Sequence, residues 1–229
     1  MLRWLPENVS TYGGDIDWIF YWIYYVTAVS LVLVLAAFAW FLFRYRARPG
    51  GRATYNHGNT TLEIIWTIVP ALVFVMIGFM SRTVWSKVRY EIPETDLRVK
   101  VTASQFNWLM TYPGLDGKLG TDDDFSQENM LHVPVNRPVR IVLTSKDVIH
   151  SFFLPNIRLK QDAVPGREIE VWFEATKVNT DPGYEIPCAE LCGFGHSNMK
   201  GYMKVHTAED FAAWMTEKKA FPQETATHD

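Results

Sequence analysis

Two cysteines, a histidine and a methionine fall within twelve residues: Cys188-Ala-Glu190-Leu-Cys192-Gly-Phe-Gly-His196-Ser-Asn-Met199. The order is Cys-x3-Cys-x3-His-x2-Met. Thiolate, imidazole and a weak thioether together are the donor set of copper electron-transfer sites. A mononuclear site of that kind needs one cysteine. Two thiolates four positions apart can point inward from one compact loop, and two bridging sulfurs can hold two copper ions. Sharing an electron between both ions reduces the rearrangement that accompanies its transfer. Such a site wants a second imidazole, and His150, just after the alternating stretch Val139–Thr144, is the candidate. Two plainer chemistries use the same cysteines: a disulfide, or half of a zinc site. Neither accounts for Glu190, His196 and Met199 at these spacings. His57, His132, His206 and His228 have no clustered partners in sequence and read as surface or structural.

The elements that must position this loop are strands. Leu97, Val99, Val101 and Ala103 alternate with Arg98, Lys100 and Thr102; Val139, Ile141 and Leu143 with Arg140 and Thr144; and Ile169, Val171 and Phe173 with Glu168, Glu170 and Glu174. That period marks half-buried strands. Pro-Gly pairs at 113–114, 165–166 and 182–183 separate them. Thr207, with Asp210 three residues on, caps a closing helix over 208–219 that carries Phe211, Trp214 and Met215 on one face.

Upstream the pattern is different. From Trp18 to Phe43 there is no charge, and aromatic residues stand at both ends. Such a stretch, as a helix, is long enough to cross a bilayer. A second apolar run covers about 62–81 with Pro70 inside it, which membrane helices tolerate. Between them Arg44, Arg46, Arg48 and Arg52 stand without an acid, so the positive-inside rule makes this linker cytoplasmic. The short N-terminus and everything after Ser81 then lie outside. The chain divides into an N-terminal segment and two-helix hairpin over 1–89, with spans at about 18–43 and 62–81, and an extracytoplasmic strand-rich domain over 90–229.

Charge follows the same division. Residues 1–89 hold eight basic and four acidic residues, a net of +4; of the 22 basic and 25 acidic residues overall, fourteen and twenty-one remain, a net of −7. A basic membrane-associated part beside an acidic soluble part does not match a nucleic-acid binder, whose soluble domain would be basic. An acidic soluble domain attracts a cationic partner. There is no Cys-x-x-Cys-His, so no c-type haem is attached to this chain, and no common nucleotide-binding motif.

Together these features resemble subunit II of the haem–copper cytochrome c oxidases. The resemblance spans residues 18–215 and rests on the hairpin, Asp147-Val-Ile-His150, Leu159-Lys-Gln-Asp162-Ala-Val-Pro-Gly-Arg167 and the cysteine loop. It implies a membrane-anchored all-β protein: two transmembrane helices, then a cupredoxin-like β-barrel with a C-terminal helix. It implies a binuclear copper centre, CuA, with Cys188 and Cys192 bridging both ions, His150 and His196 binding one each, and Met199 and the carbonyl of Glu190 as weak outer ligands. The Glu190 side chain would bind magnesium shared with subunit I, a hard ion suited to a carboxylate. Glu63, in Leu62-Glu-Ile-Ile-Trp66-Thr, matches a family glutamate at the cytoplasmic entrance of a proton path; the plain alternative is an anchor at the membrane edge.

The implied function is that of a respiratory oxidase subunit in the bacterial inner membrane. Electrons pass from a cytochrome c-type donor, free or held in a supercomplex, to subunit I, which reduces dioxygen and translocates protons with the other oxidase subunits. The different class to weigh is a membrane-tethered copper-delivery module, which mobile Met/His tracts would favour; none occur.

Two stretches depart from the family. Its Gln-Trp-x-Trp reads Gln105-Phe106-Asn107-Trp108 here, so Phe106 replaces the exposed tryptophan that accepts the electron, with Trp108 and Asp147 as further docking candidates. The stretch from Gly114 to Asp124 clusters Asp116, Asp122, Asp123 and Asp124 around glycine turns. It is similar to a calcium loop without EF-hand spacing; a solvated acidic hairpin is the plainer reading.

Overall fold

The structure, a computed structural model, describes residues 4–220, so His228 lies outside the described residues. Two long helices come first, α1 over Gly13–Arg44 and α2 over Thr60–Arg89. At 1.5 Å per residue they reach ~48 and ~45 Å, more than a ~30 Å hydrocarbon core. Neither apolar stretch is buried within the chain, so both require an apolar surrounding. Asn59 caps α2, its side-chain oxygen accepting from Leu62 N at 3.1 Å.

Ten strands follow: β1 Arg98–Ser104, β2 Asn107–Tyr112, β3 Phe125–Glu128, β4 Met130–Pro134, β5 Pro138–Ser145, β6 His150–Leu154, β7 Leu159–Ala163, β8 Ile169–Glu174, β9 Tyr184–Pro187 and β10 Lys200–His206. One sheet has the order β3-β2-β1-β5-β8, a second β4-β10-β9, and β6 pairs with β7. β1 runs parallel to β5, and β10 parallel to β4. The core takes Val99, Val101, Trp108, Ile141 and Phe173 from the first sheet and Leu131, Val133, Met203 and Val205 from the second. A short 3-10 turn, His196–Asn198, precedes β10. The closing helix α3 spans Ala208–Ala220, and Thr207 caps it by accepting from Asp210 N at 3.1 Å.

Trp172 breaks the alternation of β8, being buried on the face where the pattern points outward. The cause is the N-terminal segment. Ser10 bridges Ala175 antiparallel, Val9 N donates to Asn156 O at 2.9 Å, and the Tyr12 ring meets Trp172 edge-on at 5.4 Å. Val9 and Tyr12 are thereby fully buried. The compact units accordingly differ from a division at residue 89: the segment ending at Gly14 belongs with the chain from Lys87 onward, and Asp15–Ser86 forms the other unit. Residues 4–14 and the sheets must then lie on one side of any membrane, which two crossings between them satisfy.

α3 docks through a histidine pair. His132 Nδ1 and His206 Nε2 lie 2.7 Å apart, and the Trp214 ring lies parallel to His132 at 4.2 Å. The pairing ring centroids are 5.0 Å apart and the planes differ by 22°, so the two rings meet nitrogen to nitrogen in one N–H···N bond. Burial, then His206, Lys218 and Lys204, hold His132 down at about 4, against the pull of Asp181. Burial and Lys204 likewise lower His206, against Asp210 and Asp181. A histidine with a depressed folded pKa contributes stability that is whole above its unfolded value of ~6.5 and lost as pH falls toward the folded one. Unfolding of the sheet domain, followed by tryptophan fluorescence on the full chain in detergent, is therefore expected to lose on the order of 1–2 kcal/mol between pH 7 and 4.5, after allowing for partial exposure. His132→Gln should flatten that slope; an unchanged slope would assign it to carboxylates instead.

Candidate metal centre

The cysteine loop is held from both sides. β9 delivers Cys188, whose N–H donates to Met199 O at 3.0 Å, while Ala189 N donates to Ser151 O at 3.0 Å. An isolated bridge pairs Phe152 with Cys188, so β6, which opens at His150, lies against the start of the loop. The far end is folded by the turn at His196–Asn198, where His196 N donates to Gly193 O. Thus a strand end thirty-eight residues upstream and a single loop converge on one point.

The donor atoms meet there. The Cys188 and Cys192 sulfurs lie 3.8 Å apart. Cys192 Sγ is 3.6 Å from His196 Nδ1 and 3.7 Å from Met199 Sδ. His150 Nδ1 is 3.2 Å from Met199 Sδ and 3.9 Å from Cys188 Sγ. The Cys188 thiol donates to the Glu190 carbonyl at 3.2 Å. His150, Cys188, Cys192 and Met199 are all buried. Among the described residues, His150, Cys188 and Cys192 are the one group of three ligating side chains that converges.

A disulfide would need sulfurs about 2.05 Å apart, and both thiols are free. Burial, then the neighbouring Cys188, pushes the Cys192 thiol up to about 11. A bound cation would have to displace those protons, and its charge is what makes two adjacent thiolates tolerable in a buried place. Two sulfurs, two imidazoles, a thioether and a carbonyl form a soft set that suits copper. The residues present fit a copper centre.

Asp147 holds one candidate ligand, His150. Its Oδ1 lies 2.8 Å from His150 Nε2, leaving Nδ1 to face the sulfurs. The same carboxylate accepts from Val148 N and Gln105 N, both at 2.7 Å. Burial pushes its carboxyl up, but these hydrogen bonds, that of His150 first, outweigh it and hold it below the usual range.

Phe106 covers the loop. A Cβ on Gly195 would stand 2.5 Å from its ring, and one on Gly193, where φ is +132°, would stand 2.6 Å from Gln105 Nε2. Glycine at both positions lets the aromatic lie directly over the ligand loop. Phe106 is 38% exposed, whereas Trp108 is wholly buried, its ring 6.1 Å from that of His150. Of the two aromatics at 106 and 108, Phe106 is the one open to solvent. Sequence reasoning missed Leu191 and Phe194, both highly exposed between the ligands. The available signal was two large apolar residues inside the cysteine loop.

The remaining candidates stand apart. In the 114–124 loop, Asp123 Oδ2 accepts from Asp116 N, Asp116 Oδ1 from Lys118 N and Asp124 Oδ2 from Gly120 N. These carboxylates tie their own turn together, and Asp122 is exposed. Glu190 is exposed. Glu63 lies in the first turn of α2, against Gly58 of the linker.

The profile of the cytochrome c oxidase subunit II periplasmic domain matches residues 90–205, and that of the same subunit's transmembrane domain matches 4–84. Cytochrome c oxidase subunit 2 of Cereibacter sphaeroides is 32% identical, over 93% of this chain and 78% of that protein. Its counterpart from Thermostichus vulcanus is 30% identical, over 94% and 79%. The crystal structure of the periplasmic domain of cytochrome oxidase subunit II from Bradyrhizobium japonicum is 33% identical, over 56% of this chain and 97% of that domain, with a TM-score of 0.49.

Proposed function

Because the chain belongs to the cytochrome c oxidase subunit II family, we propose that its buried sulfur–imidazole cluster holds the binuclear copper centre CuA. The chain is one subunit of an oxidoreductase, works beside other oxidase subunits and has the electron-accepting role among them. When bound, the copper pair supplies a one-electron redox couple. Cys188 and Cys192 would hold it between them, His150 and His196 at its ends, with Met199 and the Glu190 carbonyl outside. The observation that carries this reading is the gathering of His150, His196, Met199 and the Glu190 carbonyl around the two buried sulfurs. A copper-delivery module is not favoured, since the relatives are oxidase subunits.

The chain's own residues do the rest. Burial keeps water from the sulfurs, Asp147 fixes His150, and Phe106 offers an exposed π-face above the loop. The acidic domain would receive a basic cytochrome c, because opposite charge raises the association rate. Electrons would then leave toward subunit I, where dioxygen is reduced. The exposed Glu190 carboxylate would take the magnesium ion shared with that subunit. The two helices anchor the chain and leave the sheet domain periplasmic, which in a bacterium places it in the inner membrane.

The test uses the full chain in detergent, loaded with copper. Two coppers per chain are expected, with a mixed-valence EPR signal spread over both and reduction by cytochrome c. One copper with an ordinary mononuclear signal would overturn the reading. Glu63, on the side opposite the sheet domain, would serve the proton entrance of the assembled oxidase. Glu63→Gln is expected to lower steady-state turnover severalfold while copper reduction by the donor keeps its rate. Unchanged turnover would leave Glu63 as an anchor.

A further inference from the structure

We propose that the linker between the two spans, with Arg44, Arg46, Arg48 and Arg52, is a binding site for the phosphate headgroups of anionic phospholipids. The four arginines fall within nine residues. No acid occurs from Trp18 to Leu62. All four are exposed, and among the described residues none is in an ion pair. By the positive-inside rule these arginines mark the linker as cytoplasmic.

Their position selects the partner. Arg44 is the last residue of α1 and directly follows the uncharged stretch 18–43, and Thr60 is the first residue of α2, so the basic run adjoins the apolar spans in sequence. Trp40, Tyr45 and Tyr55 are exposed there, aromatics of the kind that settle at headgroup level. The Arg44 guanidinium carbon lies 5.4 Å from the centroid of the Tyr45 ring, within cation–π range. Beyond it the chain leaves the helix, with a turn where Gly51 N donates to Arg48 O at 3.0 Å. A guanidinium offers a planar fork of donors that matches phosphate bidentately. At that depth the dense source of phosphate is the lipid headgroup. Basic residues beside a membrane helix each gain roughly fivefold in association with an anionic surface.

The experiment measures association of spin-labelled phosphatidylglycerol and phosphatidylcholine with the full chain in nanodiscs. Wild type is expected to prefer phosphatidylglycerol severalfold, and the preference should shrink as salt rises. Arg→Gln at all four positions should reduce it to parity. Arg→Lys at all four keeps the charge that sets membrane orientation, so it controls for inverted insertion, and it should retain part of the preference. Parity in the wild type, or a preference untouched by the Gln set, would overturn the proposal. Displacement by low-millimolar inorganic phosphate would assign the site to the free anion. A preference present in the lone chain but absent from the assembled oxidase would give the arginines to a neighbouring subunit's acids; either result also overturns it.

Discussion

Replacing Cys192 by serine is expected to leave a folded chain that no longer holds two copper ions. Cys192 Sγ lies within 3.8 Å of three other donor atoms of the cluster, Cys188 Sγ, His196 Nδ1 and Met199 Sδ. A hydroxyl is nearly isosteric with a thiol, so the loop loses little packing. The cost of burying it is about 1–3 kcal/mol, which a domain with this core survives. Its chemistry is another matter: a hard, protonated oxygen does not bridge two soft ions as a thiolate does. Copper per chain should fall from two to one or fewer, and the spectrum shared between two ions should vanish. Circular dichroism should keep its shape. Two retained coppers with an unaltered spectrum would show that the centre lies elsewhere.

The ligand loop was legible because its chemistry is local. Five of the six proposed groups fall in twelve residues, and the sixth, His150, comes just after the alternating stretch Val139–Thr144. The helices were legible because nothing but a membrane suits twenty-six uncharged residues. The N-terminal segment was not. Val9 and Tyr12 are too few to make a periodic pattern, and the strand they cover lies some 160 positions away. The burial of Trp172 follows from that distant contact. His132 and His206 read as partnerless for a similar reason: 74 positions separate them, and only the parallel pairing of β4 with β10 brings them together. Asp147 read as surface charge because an acidic residue before a strand usually is one. That its carboxylate turns back to His150 depends on the bend between β5 and β6, where Ser145 Oγ donates to Val148 O. Residue type and spacing do not encode that bend.

Asp147 now separates two roles that charge alone confounds. Three donors converge on its two oxygens, His150 Nε2 and Val148 N at Oδ1, and Gln105 N at Oδ2. Asparagine has the same shape but one acceptor oxygen. Turned one way, Asp147→Asn keeps His150 and sets its NH2 against the Gln105 N–H. Turned the other way, it keeps Gln105 and faces the His150 Nε2 proton with a donor. The first outcome disturbs the segment that carries Phe106 and the Gln105 side chain, whose Nε2 donates to Cys192 O at 2.6 Å. The second frees the imidazole to rotate or change tautomer. Either reaches the ligand set, so copper affinity is expected to fall about 10–100-fold, as it does when outer partners of metal ligands are removed. Competition with a chelator measures this directly on the full chain. A docking charge behaves differently: it alters the rate of association with cytochrome c and its salt dependence, and leaves copper affinity alone. Stopped-flow reduction of copper-saturated variants at several salt concentrations supplies that second reading. If copper affinity is unchanged while association slows, the contact with His150 is incidental and Asp147 is a surface charge after all.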